Sequence, residues 1–215
     1  MDKEALEYLR RRYEEKREAI RARLRSFASV IEEGDDRTLF EELVFCILTS
    51  NVSARMGFRA VERVRDVLMD GDEVEIRERL LHAYRYPGHA RYIVSTREYL
   101  KRCCGLRLRH LLLSFEDHHE RRDFFARNPG VKGLGYKQAS HFLRNVGFRG
   151  YAILDKHVTA VLYELGVLPS PVPPTSRKRY LEAEAILAEL SRQVGADMDE
   201  MDLLLWSEKT GEILK

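Results

Sequence analysis

Cysteine is scarce, and its scarcity excludes the most. Three occur in 215 residues, Cys46 and the adjacent pair Cys103 and Cys104. None stands at the Cys-x-x-Cys spacing of a zinc or redox site, and an odd number builds no disulfide framework. They read as reduced intracellular thiols. No stretch approaches the roughly 18 apolar residues of a membrane span, and the amino terminus is charged where a secretory leader would be apolar. Cytoplasmic location and no membrane partner are therefore expected, and the Asn51-Val52-Ser53 match to the glycosylation acceptor pattern is read as incidental. Charge of one sign is also lacking: 37 Lys+Arg face 35 Asp+Glu, for a net charge of +2. A nucleic-acid partner would have to be met by a local basic patch. There is no internal repeat, no low-complexity tract and no strong strand signal.

What remains is helical. With 44% hydrophobic residues the chain can bury a real core, and its apolar positions recur at steps of three, four and seven. Leu6, Leu9, Tyr13, Ile20, Leu24, Phe27 and Ile31 place one long amphipathic helix over 2–31, either whole or broken near 14–17. Thr38 and Glu41 have capping-box spacing before a helix apolar on nearly every face, Leu39 to Leu48, which belongs in a core. A small polar cluster, Thr49 to Ser53, follows. There Asn51 either faces a partner or sits in a plain turn. Further helices are expected over 54–69, 74–84, 90–104 with Gly105 as the stop, 116–127, 137–146, 156–165, 176–194 and 197–208. Leu106 to Ser114 is either a buried turn or a helix end. The paired His118 and His119 read as solvated surface, since no other ligand lies at helical spacing. The fold class is all-α.

The stretch from Asn128 to His157 concentrates the chemistry. Pro129 can end one helix, and Gly133 and Gly135 permit a tight reversal into the next. At the start of that second helix, unpaired N–H groups and the positive end of the macrodipole suit a phosphate. Lys137 falls in the first turn, where the same dipole disfavours its charged form, as an amine nucleophile requires. Eighteen residues later Asp155 stands before a new helix, as an N-cap or as a catalytic carboxylate.

Gly133-Leu134-Gly135-Tyr136-Lys137 with Asp155 resembles the helix-hairpin-helix plus Gly/Pro-Asp signature of the DNA glycosylase/lyase superfamily. Residues 45–51, 135–147, 152–157 and 206–215 are similar to the type 2 8-oxoguanine DNA glycosylase/lyases, known mainly from archaea. That resemblance runs over nearly the whole chain. It implies a single helix-hairpin-helix glycosylase unit of two helical lobes with the active-site cleft between them, the motif spanning about 117–146. Iron-sulfur members of the superfamily carry four clustered C-terminal cysteines, and none lies after Cys104 here.

The resemblance also implies a reaction. Lys137 attacks C1′ of the damaged nucleotide and forms an imine, and β-elimination then nicks the strand on the 3′ side. Asp155 accepts the proton or stabilises charge on the sugar. An ordinary lysine, with a pKa of about 10.4, needs roughly 4 to 5 kcal/mol to be neutral at pH 7, so its surroundings must supply part of that. Asn51 would fill the gap left by the flipped base, and Gly133 and Gly135 would hold a phosphate, with a bound monovalent cation at the hairpin and no other cofactor or metal. Trp206 would stack on the flipped purine. Arg85-Tyr86 matches an Arg-Phe element that supplies the opposite stacking face, although the segment after it is one residue shorter and carries Pro87 and Gly88. Lys215, where the chain ends as the family does, would help read the N7 hydrogen that distinguishes 8-oxoguanine from guanine. The expected partner is duplex DNA containing 8-oxoguanine, met by a monomer of self-sufficient length. Two alternatives stay open: a glycosylase for another lesion, and a non-catalytic helix-hairpin-helix DNA-binding module, which would not need both Lys137 and Asp155.

Overall fold

The computed structural model describes residues 3–50 and 52–213, and among these all regular structure is helical. The chain divides into two compact units, one formed by Met1–Ser29 with Leu143–Lys215, the other by Val30–Phe142.

In the Val30–Phe142 unit, α2 (Asp36–Leu48) is the core element. Leu39, Phe40, Leu43, Val44, Phe45, Cys46, Ile47 and Leu48 are all buried, and α3 (Ala54–Val64), α5 (Ala90–Cys104) and α6 (Leu108–Leu113) pack around it. The expected Thr38 cap is corrected. Asp35 is the N-cap, accepting the Thr38 N–H at 2.8 Å and the Thr38 hydroxyl at 2.7 Å. Thr38 is thus a donor inside the first turn, and the helix starts three residues earlier, at Asp36.

α3 stops at Val64 rather than near Met69 for a tertiary reason. The guanidinium of buried Arg97 donates to the carbonyls of Leu68 and Gly71 at 3.0 and 2.8 Å, so this bend is fastened by α5 instead of by its own helical ladder. Asp72 then caps the short α4 (Glu73–Leu81). α5 has the expected bounds and ends on Gly105 at φ 62°, a left-handed position that glycine adopts without strain. The ambiguous segment after it holds α6. The helix-hairpin-helix is formed by α7 (His118–Arg127), capped by Asp117, and α8 (Tyr136–Asn145). Phe125 and Phe142 meet edge-to-face at 4.9 Å between them.

In the other unit, α1 (Lys3–Glu33) contributes its first 27 residues and is the whole, unbroken form of the expected long helix. The buried stripe of Leu9, Tyr13, Ile20, Leu24 and Phe27 keeps helical phase across 14–17, and that stretch holds neither Gly nor Pro. α9 (Lys156–Glu164) and α10 (Arg177–Val194) both pack on α11 (Met198–Thr210), whose start carries the expected capping box of Asp197 and Glu200. The Glu200 carboxylate also accepts from Tyr13 at 2.7 Å and Arg21 at 2.7 Å, which ties α11 to α1. None of the described helices is long and apolar enough to cross a membrane.

Candidate active site

The hairpin between α7 and α8 is held from both sides within its unit. Asn128 accepts the Gly130 N–H at 2.9 Å through its side-chain oxygen and donates to the Tyr99 hydroxyl at 2.7 Å. The Lys132 N–H goes to Thr96 Oγ1 at 2.8 Å. The two glycines expected to make the reversal differ. Gly133 has φ 81°, and a Cβ there would sit 3.0 Å from the Tyr92 ring and 3.1 Å from Ile47, so both conformation and space require glycine. Gly135 has no positive φ, and a Cβ there would meet only Gln138 Oε1 at 3.8 Å. The fold does not need glycine at 135. A bare backbone at the open start of α8 is what close approach of a phosphate needs.

Lys137 lies in the first turn of α8, as expected, and is half-buried. Within its unit, and among the described residues, its ammonium has no ion-pair partner. Its helix neighbour Gln138 reaches Ser50 at 3.4 Å, which brings the start of α8 to the polar loop after α2. Asn51 itself lies outside the described residues.

Tyr86 opens a 3-10 turn, Pro87–His89, and belongs to an aromatic group that sequence periodicity did not reveal. Its ring stacks on His89 with centroids 5.6 Å apart, and the Arg85 guanidinium lies 5.6 Å from its centroid. His89 continues the group to Tyr92 at 5.2 Å, and its Nδ1 is 2.8 Å from the Tyr84 hydroxyl. Burial holds His89 below the usual imidazole range. Tyr92 in turn is the residue against Gly133, so this group adjoins the hairpin. His119, expected as solvated surface, is corrected: it is half-buried with Nδ1 3.3 Å from the guanidinium of buried Arg122.

In the other unit, Asp155 is the N-cap of α9. Its Oδ1 accepts the N–H groups of His157 and Val158 at 2.8 and 2.9 Å. Oδ2 accepts nothing within the unit among the described residues, so capping leaves one oxygen for chemistry. Trp206 is half-buried on α11. Asp202, one turn before it, was not singled out from sequence; it is buried with Oδ2 2.8 Å from the Arg144 guanidinium. Burial pushes the Asp202 carboxyl up to about 7, against the pull of Arg144. Lys215 lies outside the described residues.

The chain is similar to known proteins over most of its length. Residues 20–196 match a family model described as 8-oxoguanine DNA glycosylase. A protein of Korarchaeum cryptofilum named 8-oxoguanine DNA glycosylase/AP lyase is 42% identical over 201 residues, covering 93% of this chain and 91% of that one. A Thermotoga maritima protein of the same name is 36% identical over 214 residues, 99% of each chain. The crystal structure of Methanocaldococcus jannaschii 8-oxoguanine glycosylase/lyase in complex with a 15mer DNA containing 8-oxoguanine superposes with a TM-score of 0.86 at 35% identity, covering 97% of this chain and all of that one.

Proposed function

The chain belongs to the 8-oxoguanine DNA glycosylase family, and from that premise we infer that it excises 8-oxoguanine from duplex DNA and then cuts the strand at the abasic site. The enzyme is a DNA N-glycosylase and AP lyase. Its site residues we assign as follows.

The neutral Lys137 amine attacks C1′ of a flipped nucleotide. The C1′–N9 bond breaks, its electron pair leaves with the base, and the base takes up a proton. The new C–N bond puts a positive charge on nitrogen, and the proton released there passes to Asp155, whose Oδ2 is the acceptor. Ring opening gives the imine. Loss of a C2′ proton then expels the 3′ phosphate oxygen, which nicks the strand, and water releases the lysine. The single observation that carries this assignment is Lys137 in the first turn of α8, behind a glycine that the fold itself does not require.

Flipping costs a few kcal/mol, and Trp206 and Tyr86 offset it by stacking on the purine, at roughly 1 to 3 kcal/mol per face. Asn51 fills the vacated stack, and Lys215 contributes to reading N7. Gly133 and Gly135 present the hairpin to the phosphate. The carbonyls of Val131 and Gly133 accept no hydrogen bond among the described residues, a donor set that fits a monovalent cation. The enzyme works as a monomer in the compartment that holds the chromosome. A duplex with one 8-oxoguanine should be nicked with an unsaturated aldehyde on the 3′ end, and the same duplex with guanine should stay intact. Equal cutting of both would contradict the assignment.

A further inference from the structure

The backbone that delivers Asp155 is held in an unusual way. Gly150 to Leu154 runs irregularly between α8 and α9 with no neighbouring strand among the described residues, and its polar groups go to buried side chains instead. Gly150 N donates to Asp199 Oδ2 at 3.0 Å, Ala152 N to Glu184 Oε1 at 3.0 Å, and Ile153 N to Asp202 Oδ1 at 2.9 Å. The Tyr180 hydroxyl accepts from Leu154 N at 3.2 Å and donates to the Ala152 carbonyl at 2.7 Å. Asp199, Glu184, Asp202 and Tyr180 are between 0% and 6% exposed.

Burying three carboxylates is an expensive way to fasten five residues. Apolar replacements of buried charges are often neutral or stabilising, so stability alone does not call for this arrangement. The cost shows on the acids: burial raises the Asp199 and Asp202 carboxyls above their ordinary range. What the arrangement supplies is register. Each buried carboxylate holds one specific backbone N–H and Tyr180 holds two backbone groups, and the segment enters α9 at Asp155 immediately after the last of them.

The clamp also shares its support with Trp206. Asp199, Asp202 and Trp206 stand at i, i+3 and i+7 on α11, one face of a helix whose first turn is locked by the Asp197 and Glu200 capping box. Tyr180 and Glu184, at i and i+4 on α10, face the same segment. We propose that Asp202 and Tyr180 are positioning residues of the excision step: through Ile153 and Leu154 they hold the Asp155 carboxylate in register with Trp206, so that the helix carrying the base-stacking ring also helps to set the proton acceptor. The inference rests on the assignment of Asp155 to the reaction. Neither residue touches substrate.

The test uses the full chain and four variants, Tyr180→Phe, Asp202→Ala, Asp202→Asn and Asp155→Asn. Single-turnover excision of 8-oxoguanine at saturating enzyme is read beside the Kd for a duplex carrying a tetrahydrofuran abasic analogue and beside the melting curve. A displacement near 1 Å at a reacting group costs about 100-fold. Tyr180→Phe and Asp202→Ala should therefore slow excision by about 10- to 100-fold while Kd stays within about threefold. Asp202→Asn keeps an oxygen for the Ile153 N–H and should recover most of the Asp202→Ala loss. If Asp202→Ala does not fold, Tyr180→Phe decides alone, since it removes one oxygen and keeps the ring. Excision near the parental rate in folded Tyr180→Phe and Asp202→Ala, with Asp155→Asn impaired, overturns this inference alone. Parental excision by Asp155→Asn overturns the assignment of Asp155 and the inference with it.

Discussion

Tyr99 occupies the space that a side chain at Gly130 would need: a Cβ there would lie 2.2 Å from ring atom Cδ2. The ring cannot simply swing away, because Asn128 holds its hydroxyl at 2.7 Å and the Gly130 N–H at 2.9 Å. Three positions along one hairpin thus differ in their need for glycine: contact requires it at 130, conformation and contact at 133, and at 135 only the proposed approach of a phosphate would.

These reasons separate in a melting and binding experiment. Gly130→Ala should lower stability by about 2 kcal/mol through overpacking, or about 4–8 °C in Tm for a chain of this size. Gly135→Ala should leave Tm unchanged and weaken duplex binding about tenfold, the loss of roughly 1.4 kcal/mol of phosphate contact. A Gly135→Ala variant that melts early yet binds normally would reverse the assignment.

Glu208 ties the end of α11 to α1. Burial alone would raise its carboxyl, but hydrogen bonds from Arg12, Lys16 and Tyr8 prevail and hold it at about 2. A carboxyl depressed on folding stabilises fully above its unfolded value of about 4.5, and that contribution is lost as pH falls through about 2. Because Arg12 and Lys16 are partly exposed, we expect Glu208→Gln to cost about 2 kcal/mol at pH 7, less than the full linkage value. The difference from the parent should shrink steadily between pH 4.5 and 2. A constant difference across that range would place the effect elsewhere.

Trp206 has two possible duties that activity assays can part. If it stacks on the flipped purine, Trp206→Ala should reduce 8-oxoguanine excision by about 10- to 100-fold, from roughly 1 to 3 kcal/mol of stacking. Cleavage of a preformed abasic site, which carries no base, should remain within about threefold. A parallel fall in both activities, with a lowered Tm, would mark Trp206 as a core residue only.

The residues that were legible in sequence are those whose role is local. Gly105 ends α5 and Asp155 caps α9 because both effects act within one turn, and Asp197 with Glu200 forms its capping box for the same reason. Lys137 was legible because the hairpin places it in the first turn of α8. What escaped depends on distant partners. The end of α3 is set by Arg97, 29 residues beyond Leu68, and the buried Asp202 meets Arg144 across 58 residues. An aspartate inside an apolar helix carries no local sign of which partner it meets. The aromatic group of Tyr84, Tyr86, His89 and Tyr92 was hidden for another reason: a 3-10 turn interrupts the helical period that would have aligned the rings.

The identity of Lys137 as the nucleophile is tested most directly by borohydride trapping on a duplex with one 8-oxoguanine. The parent protein should give a covalent protein–DNA adduct that accumulates with excision, and Lys137→Gln should bind the same duplex and give none. An undiminished adduct from Lys137→Gln, or none from the parent, would contradict the mechanism.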